Sequence, residues 1–154
     1  MRIHHFSSEI WLARPIHEVF AFFSDAANLD SITPPWLSFR TVTRQPIEMH
    51  VGTVIDYKLR VRGFPVLWRS EITEWEPPHH FVDEQIRGPY RLWIHAHRFQ
   101  PRNGSTLVCD DVRYAVPFDW LLHKLVVRPD VERIFAYRAD CLRRRFGSAW
   151  SRAF

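Results

Sequence analysis

Residues 90–99 read Tyr-Arg-Leu-Trp-Ile-His-Ala-His-Arg-Phe and alternate with period two. As a strand, the segment carries Trp93, His95, His97 and Phe99 on one face and Leu92, Ile94 and Ala96 on the other. A solvated face rarely carries Trp and Phe, and a plain core rarely carries two imidazoles. Two neighbouring strand-like runs repeat the mixture. Phe81, Asp83 and Gln85 alternate on one, and Thr106, Val108, Asp110, Val112 and Tyr114 on the other. A sheet with such a face is expected to line a cavity that is mostly apolar with a few convergent polar groups, the usual makeup of a small-molecule site.

The rest of the chain supplies the frame for that sheet. Residues 3–12 alternate as a strand. Pro15 suits the first turn of a helix, where its missing N–H costs nothing, and Ile16, Val19, Phe20 and Phe23 follow at helical spacing. Residues 25–32 read as a second short helix, closed by Pro34 and Pro35. Period two then returns over 36–43, 53–61, 64–75, 80–86, 90–99 and 105–114, with Asn103-Gly104 the strongest hairpin signal. Hairpin-like connections predict an antiparallel sheet of seven strands. The last third is helical, first over 118–127 and then over 130–146. Val131, Ile134, Phe135, Leu142 and Phe146 form the apolar stripe of the long helix. Both apolar surfaces need cover, so the helix is expected to lie across the concave side of the sheet. Arg138 falls near the middle of the stripe, where a guanidinium is costly without partners. It is expected to face the sheet and pair with Asp83 or Asp110.

Length and composition exclude several classes. The chain has 154 residues, the size of one domain, expected over 1–147 with a tail at 148–154. The net charge of +4 is interspersed with acids apart from Arg143, Arg144 and Arg145. Those three end a helix and complement its dipole, so no nucleic acid is expected as a partner. Cys109 and Cys141 form no CxxC pair or zinc spacing, which suits a reducing, cytoplasmic setting. No segment approaches the ~18 apolar residues of a membrane span, so stable membrane insertion is not expected. There is no GxSxG elbow, Gly-rich phosphate loop or dinucleotide fingerprint, hence no expected cofactor. The adjacent pairs His4-His5 and His79-His80 point to opposite strand faces and offer no convincing site. Phe118, Trp120, Leu121 and Leu122 open the C-terminal region as ordinary packing, a cavity lid or a membrane-touching patch.

The candidate site thus comprises Tyr57, Trp68, Trp93 and Phe135 as walls, with Asp83, Gln85, His95, His97, Asp110 and Arg138 as the polar end. His-x-His on a strand is a common metal arrangement, with Asp83 or Asp110 as a third ligand. The surrounding aromatics and the arginine suit a dication poorly, and no metal is expected. The same residues serve a polar network that orients a bound molecule, or acid–base chemistry by His95, His97 and Asp110, or a purely structural cluster. All three readings stay open on the residues alone.

The order of elements, with Pro15-Ile16-His17-Glu18-Val19-Phe20, Thr33-Pro34-Pro35-Trp36, Phe81-Val82-Asp83-Glu84-Gln85 before Gly88-Pro89-Tyr90, and Asp110-Asp111-Val112-Arg113-Tyr114, resembles the START-like helix-grip superfamily, also called SRPBCC. Within it, the likeness is to small bacterial polyketide cyclase/dehydrase-like or ligand-binding members. The resemblance implies an α+β fold, a curved antiparallel sheet wrapped around a long C-terminal helix, and a deep cavity between them. It implies binding of a small hydrophobic or amphipathic ligand by a carrier or sensor, or alternatively a cyclase/dehydrase-like enzyme. Similar domains also occur fused to sugar-nucleotide epimerase-like domains, which implies an association with such a protein.

Overall fold

The computed structural model describes residues 1–148, so all but the first residue of the expected tail lies outside the described residues. Strand β1 (His4–Leu12) leads into helix α1 (Ile16–Phe23) and a 3₁₀ segment, Ala26–Ile32. Then come β2 (Arg40–Thr41), β3 (Val54–Val61), β4 (Phe64–Glu76), β5 (His80–Arg87), β6 (Leu92–Arg102) and β7 (Ser105–Ala115). Helix α2 (Asp119–Leu122) and a π turn (His123–Val127) run directly into α3 (Arg128–Phe146). The strands form one antiparallel sheet in the order β1-β7-β6-β5-β4-β3-β2. This is the expected helix-grip arrangement.

Register places the site. On β6, His95 lies opposite Asp83 of β5 and Val112 of β7, and His97 lies opposite Phe81 and Asp110. Shifts in the β4–β5 pairing at Arg69/Ser70 and Ile72/Glu74 bend the sheet, as bulges do. Helix α3 touches the inner face at its two ends. Val131 joins Val112 and Tyr114 in one apolar cluster, and Leu142 and Phe146 join Ile10, Phe22 and Val108 in another. The middle of the helix spans a hollow.

Two expectations need correction. Residues 36–43 are not a full strand: Pro35–Leu37 is a 3₁₀ turn, and only Arg40–Thr41 pairs with β3. Pro35, with its fixed φ, opens that turn, and Ser38 closes it left-handed at φ 45°, so the backbone is not extended until Arg40. The long helix begins at Arg128 rather than Asp130, because the π turn feeds it without a break.

Leu142 is 1% exposed and Leu125 is 74% exposed, although both are leucines of the C-terminal region. Urea unfolding is expected to show a loss of about 2–5 kcal/mol for Leu142→Ala. The same measurement on Leu125→Ala should move stability by no more than ~0.5 kcal/mol.

Candidate functional site

Between the concave sheet face and α3 lies a cavity of about 710 Å³. Of the ten residues expected to meet a ligand, Tyr57, Trp68, Asp83, Trp93, His95, His97, Phe135 and Arg138 line it. Trp68 packs edge-on against Trp93 (5.4 Å between centroids) and donates its indole N–H to Ser70 Oγ at 2.9 Å. Tyr57 is wedged against Phe39 at 4.9 Å.

Gln85 and Asp110 are not in the lining. Gln85 donates to the Tyr90 carbonyl (2.8 Å) and accepts the Tyr90 N–H (3.2 Å), so it braces the β5–β6 turn instead of meeting a ligand. Gly88 is required by that brace, since a Cβ there would collide with Gln85 Oε1. Asp110 is 4% exposed and sits behind the imidazoles.

The imidazoles and carboxylates pair on the diagonal. His95 Nε2–H donates to Asp110 Oδ1 at 2.6 Å, although Asp110 lies opposite His97 in register. His97 Nε2–H donates to Asp83 Oδ2 at 2.7 Å, although Asp83 lies opposite His95. The rings stack on each other at 3.7 Å, and His97 stacks on Phe81 at 4.1 Å. With Nε2 committed to Asp110, the second nitrogen of His95 is Nδ1, 4.0 Å from Asp83 Oδ2, and both residues line the cavity. His97 Nδ1 is buried without a hydrogen-bond partner.

Burial fixes the charges. Burial and the neighbouring His95 push His97 down to about 4, against the pull of Asp83 and Asp110, so it is neutral at pH 7. Burial alone would raise Asp110. The hydrogen bond from His95 and the nearby charges, Arg138 among them, outweigh it and hold Asp110 at about 2. The same balance, with His97 as hydrogen-bond donor, lowers Asp83. Burial, reinforced by Asp83, raises the Tyr57 phenol.

Arg138 faces the sheet as expected but does not pair with Asp83 or Asp110. Among the described residues it makes no ion pair, and its Nε is buried without a partner. The guanidinium lies 5.0 Å from the Phe135 ring centroid. The imidazoles reach the carboxylates from the adjacent strand, and the arginine must cross the hollow from α3.

Asp83, His95 and His97 each bring a ligand atom within 4.8 Å of the others, close enough to raise the metal question. The two ring planes differ by only 28° at 3.7 Å, so their in-plane lone pairs run side by side and do not converge on an ion ~2.1 Å from each. The arrangement favours hydrogen bonding. A second cluster, His4, Asp119 and His123, is not visible in the sequence because it joins residues far apart in the chain. His4 pairs with Asp119 and stacks on His123 at 3.4 Å with planes 8° apart, and Tyr114 Oη lies 2.9 Å from His123 Nε2. These rings too are parallel, and the cluster pins α2 and the π turn to β1 and β7. Burial and the His4 charge lower His123.

Further residues around the cavity carry no signal in the sequence. Arg62 at the β3–β4 turn holds Asp130 of α3 with two bonds, 2.9 and 3.2 Å. Trp36 stands under Arg133 at 4.8 Å and against Tyr137 at 5.8 Å. Each links a loop or turn to α3.

No curated protein matches the sequence. Among solved structures, the chain is similar to the Zhui aromatase/cyclase of Streptomyces sp. R1128, with 18% identity, TM-score 0.67 and coverage of 94% of this chain and 96% of that one. It is similar to the protein TTHA0849 of Thermus thermophilus, with 20% identity, TM-score 0.65 and coverage of 92% and 99%. It is also similar to a START superfamily protein of Mycobacterium smegmatis, with 14% identity, TM-score 0.67 and coverage of 93% and 97%. These likenesses establish the fold. Residues 12–143 match the family described as polyketide cyclase/dehydrase and lipid transport. The chain belongs to that family, on a START-like helix-grip fold.

Proposed function

We propose that the protein binds one small, largely apolar molecule carrying polar groups, as a carrier or sensor. The observation that carries this reading is the 710 Å³ hollow itself, with aromatic walls and Asp83, His95 and His97 clustered on its sheet face. A cavity of this size matches small-molecule sites. Tyr57, Trp68, Trp93 and Phe135 would cover the apolar body. The Arg138 guanidinium, which makes no ion pair among the described residues, would donate to an acceptor on the ligand, and His95 Nδ1 would accept from a donor. The free thiols Cys109 and Cys141 fit a cytoplasmic setting. Partnership with an epimerase-like protein rests on the resemblance alone.

One observation favours a second reading, cyclase/dehydrase-like catalysis. The His95–Asp110 pair has the form of an oriented base: the buried carboxylate accepts the hydrogen bond from Nε2–H and leaves Nδ1 as the nitrogen that can accept a proton. In that role His95 would remove a proton from an acidic C–H, and the Arg138 charge would stabilise the oxyanion that forms. His97, neutral and sandwiched between Phe81 and His95, would position His95.

The apolar fluorophore anilinonaphthalene sulfonate is expected to saturate one site and quench the tryptophans. Trp93→Ala should weaken it about tenfold, the scale of one lost aromatic contact. Many weak sites, or no change with Trp93→Ala, would sink the binding reading. For any substrate that a thermal-shift screen brings to light, His95→Gln should cut turnover by ~10²–10⁴ while leaving fluorophore affinity within about threefold if the enzyme reading holds. Equal losses in both would make His95 a binding residue only.

The network also sets a pH dependence. An unfolded imidazole takes its proton near 6.5, and His97 in the fold takes it only near 4, so the unfolded chain binds the extra proton in between. Stability is complete above that window and lost as pH falls through it. Melting temperature should fall between pH 6.5 and 4, and the fall should shrink in His97→Gln. The contribution of Asp110 is lost lower, between its ordinary 3.8 and about 2.

A further inference from the structure

We infer that the face formed by the β3–β4 turn and the segment leading into α3 docks reversibly on an anionic lipid bilayer. Phe64 is 74% exposed, Phe118 68%, Trp120 84%, Leu121 47% and Leu125 74%. Large apolar side chains this far out of the core are not packing residues, and grouped they mark an interaction surface.

Their grouping follows from the fold. Phe64 follows Gly63 at the tip of the β3–β4 turn, and Arg62 ties that tip to Asp130 at the start of α3. The other four precede α3 directly: Phe118 just before α2, Trp120 and Leu121 in α2, and Leu125 in the π turn. The residues interleaved with them point the other way: Gly63, Pro117, Leu122 and Val126 line the cavity. One apolar surface therefore runs from the interior, past these segments, to the outside. Phe118 holds a left-handed backbone at φ 53°, uncommon for a bulky residue, and its carbonyl accepts the N–H groups of Leu121 and Leu122. That turn carries its ring outward.

Charge selects the partner. Two acids around the fringe are neutralised by arginines, Asp130 by Arg62 and Glu132 by Arg128, while Asp119 hydrogen-bonds His4 and counts as a charge. Lys124, exposed within the segment, makes no ion pair among the described residues, and Arg2 lies close enough to lower Asp119 and His123. Arg2 and Lys124 outnumber Asp119 there, so the balance is positive, on a chain of net charge +4. Aromatic and aliphatic side chains beside a free lysine are the makeup of an interfacial anchor, in which Trp sits at headgroup level. No helix among the described residues is long and apolar enough to cross a membrane, so the association is peripheral. Docking there would set the cavity against the source of an apolar ligand. That consequence rests on the binding reading; the docking rests on the fringe.

Flotation with phosphatidylcholine vesicles, with and without phosphatidylglycerol, tests it, using the whole chain. The wild type should float with the phosphatidylglycerol vesicles and be released by salt. The double variant Trp120→Ser, Leu125→Ser should lose at least tenfold in vesicle binding while keeping its melting temperature and its fluorophore site. Lys124→Glu should weaken binding to the anionic vesicles alone. No flotation, or equal flotation of wild type and double variant, overturns the inference. Equal binding to neutral vesicles overturns its anionic part. A dimer in sedimentation velocity that the double variant dissolves, with no vesicle binding, would assign the face to a second copy and overturn it as well. Loss of fluorophore binding with flotation intact would count against the cavity reading and leave this one standing.

Discussion

Four ionisable side chains occupy the concave face of three adjacent strands, and the sheet tolerates them because each imidazole N–H has a carboxylate to receive it. An unpaired carboxylate at the 4% exposure of Asp110 would be among the most costly groups in the molecule. The pairing is diagonal, His95 to Asp110 and His97 to Asp83, so it couples β5, β6 and β7 beyond their backbone ladders. It also fixes the register. A slip of one residue on either outer strand would turn its aspartate to the convex face and strand an imidazole in the interior.

The same network explains why the interior is hollow. Helix α3 is anchored at Val131 near its start and at Leu142 and Phe146 near its end, in separate apolar clusters. Between them come Phe135, which meets the edge of His95 at 5.5 Å, and Arg138. A helix drawn closer would bury the guanidinium against a wall whose carboxylates are already committed to the imidazoles. The sheet curves away at the β4 irregularities, and the space that remains is lined by rings that are too large to collapse.

Much of this is legible in the sequence because period two is a direct record of strand faces. Trp93, His95, His97 and Phe99 share a face as their spacing implies, and Thr106 through Tyr114 alternate in the same way. What is not legible depends on distance in three dimensions. Gln85 occupies an alternating position, but the Gly88 turn brings Tyr90 within reach of its amide and takes it out of the cavity. Arg138 stands on the helix face its spacing implies, yet the choice of partner turns on the depth of the hollow, which no spacing encodes. His4 reads in the sequence as one of an adjacent pair, because its partners Asp119 and His123 are over a hundred residues away. Residues 36–43 alternate, but the backbone decides a ladder, and the 3₁₀ turn at Pro35–Leu37 with left-handed Ser38 keeps it from being extended before Arg40.

The family's description covers polyketide cyclases, dehydrases and lipid transport, and one scaffold can host such different ends. A buried carboxylate holding an imidazole does the same physical thing in either case: it fixes which nitrogen carries the proton and aims the other at the cavity. Under the binding reading, a molecule with a hydroxyl would meet a hydrogen-bond acceptor there and be oriented. Under the enzyme reading, a molecule with an acidic C–H would meet a base and be altered, provided that a cation stands where the oxyanion develops. Arg138, with a buried Nε and no partner of its own, is the group that would satisfy that condition. On the proposed reading, the division between carrier and catalyst would lie less in the protein's residues than in the acidity of the hydrogen that a ligand places beside His95.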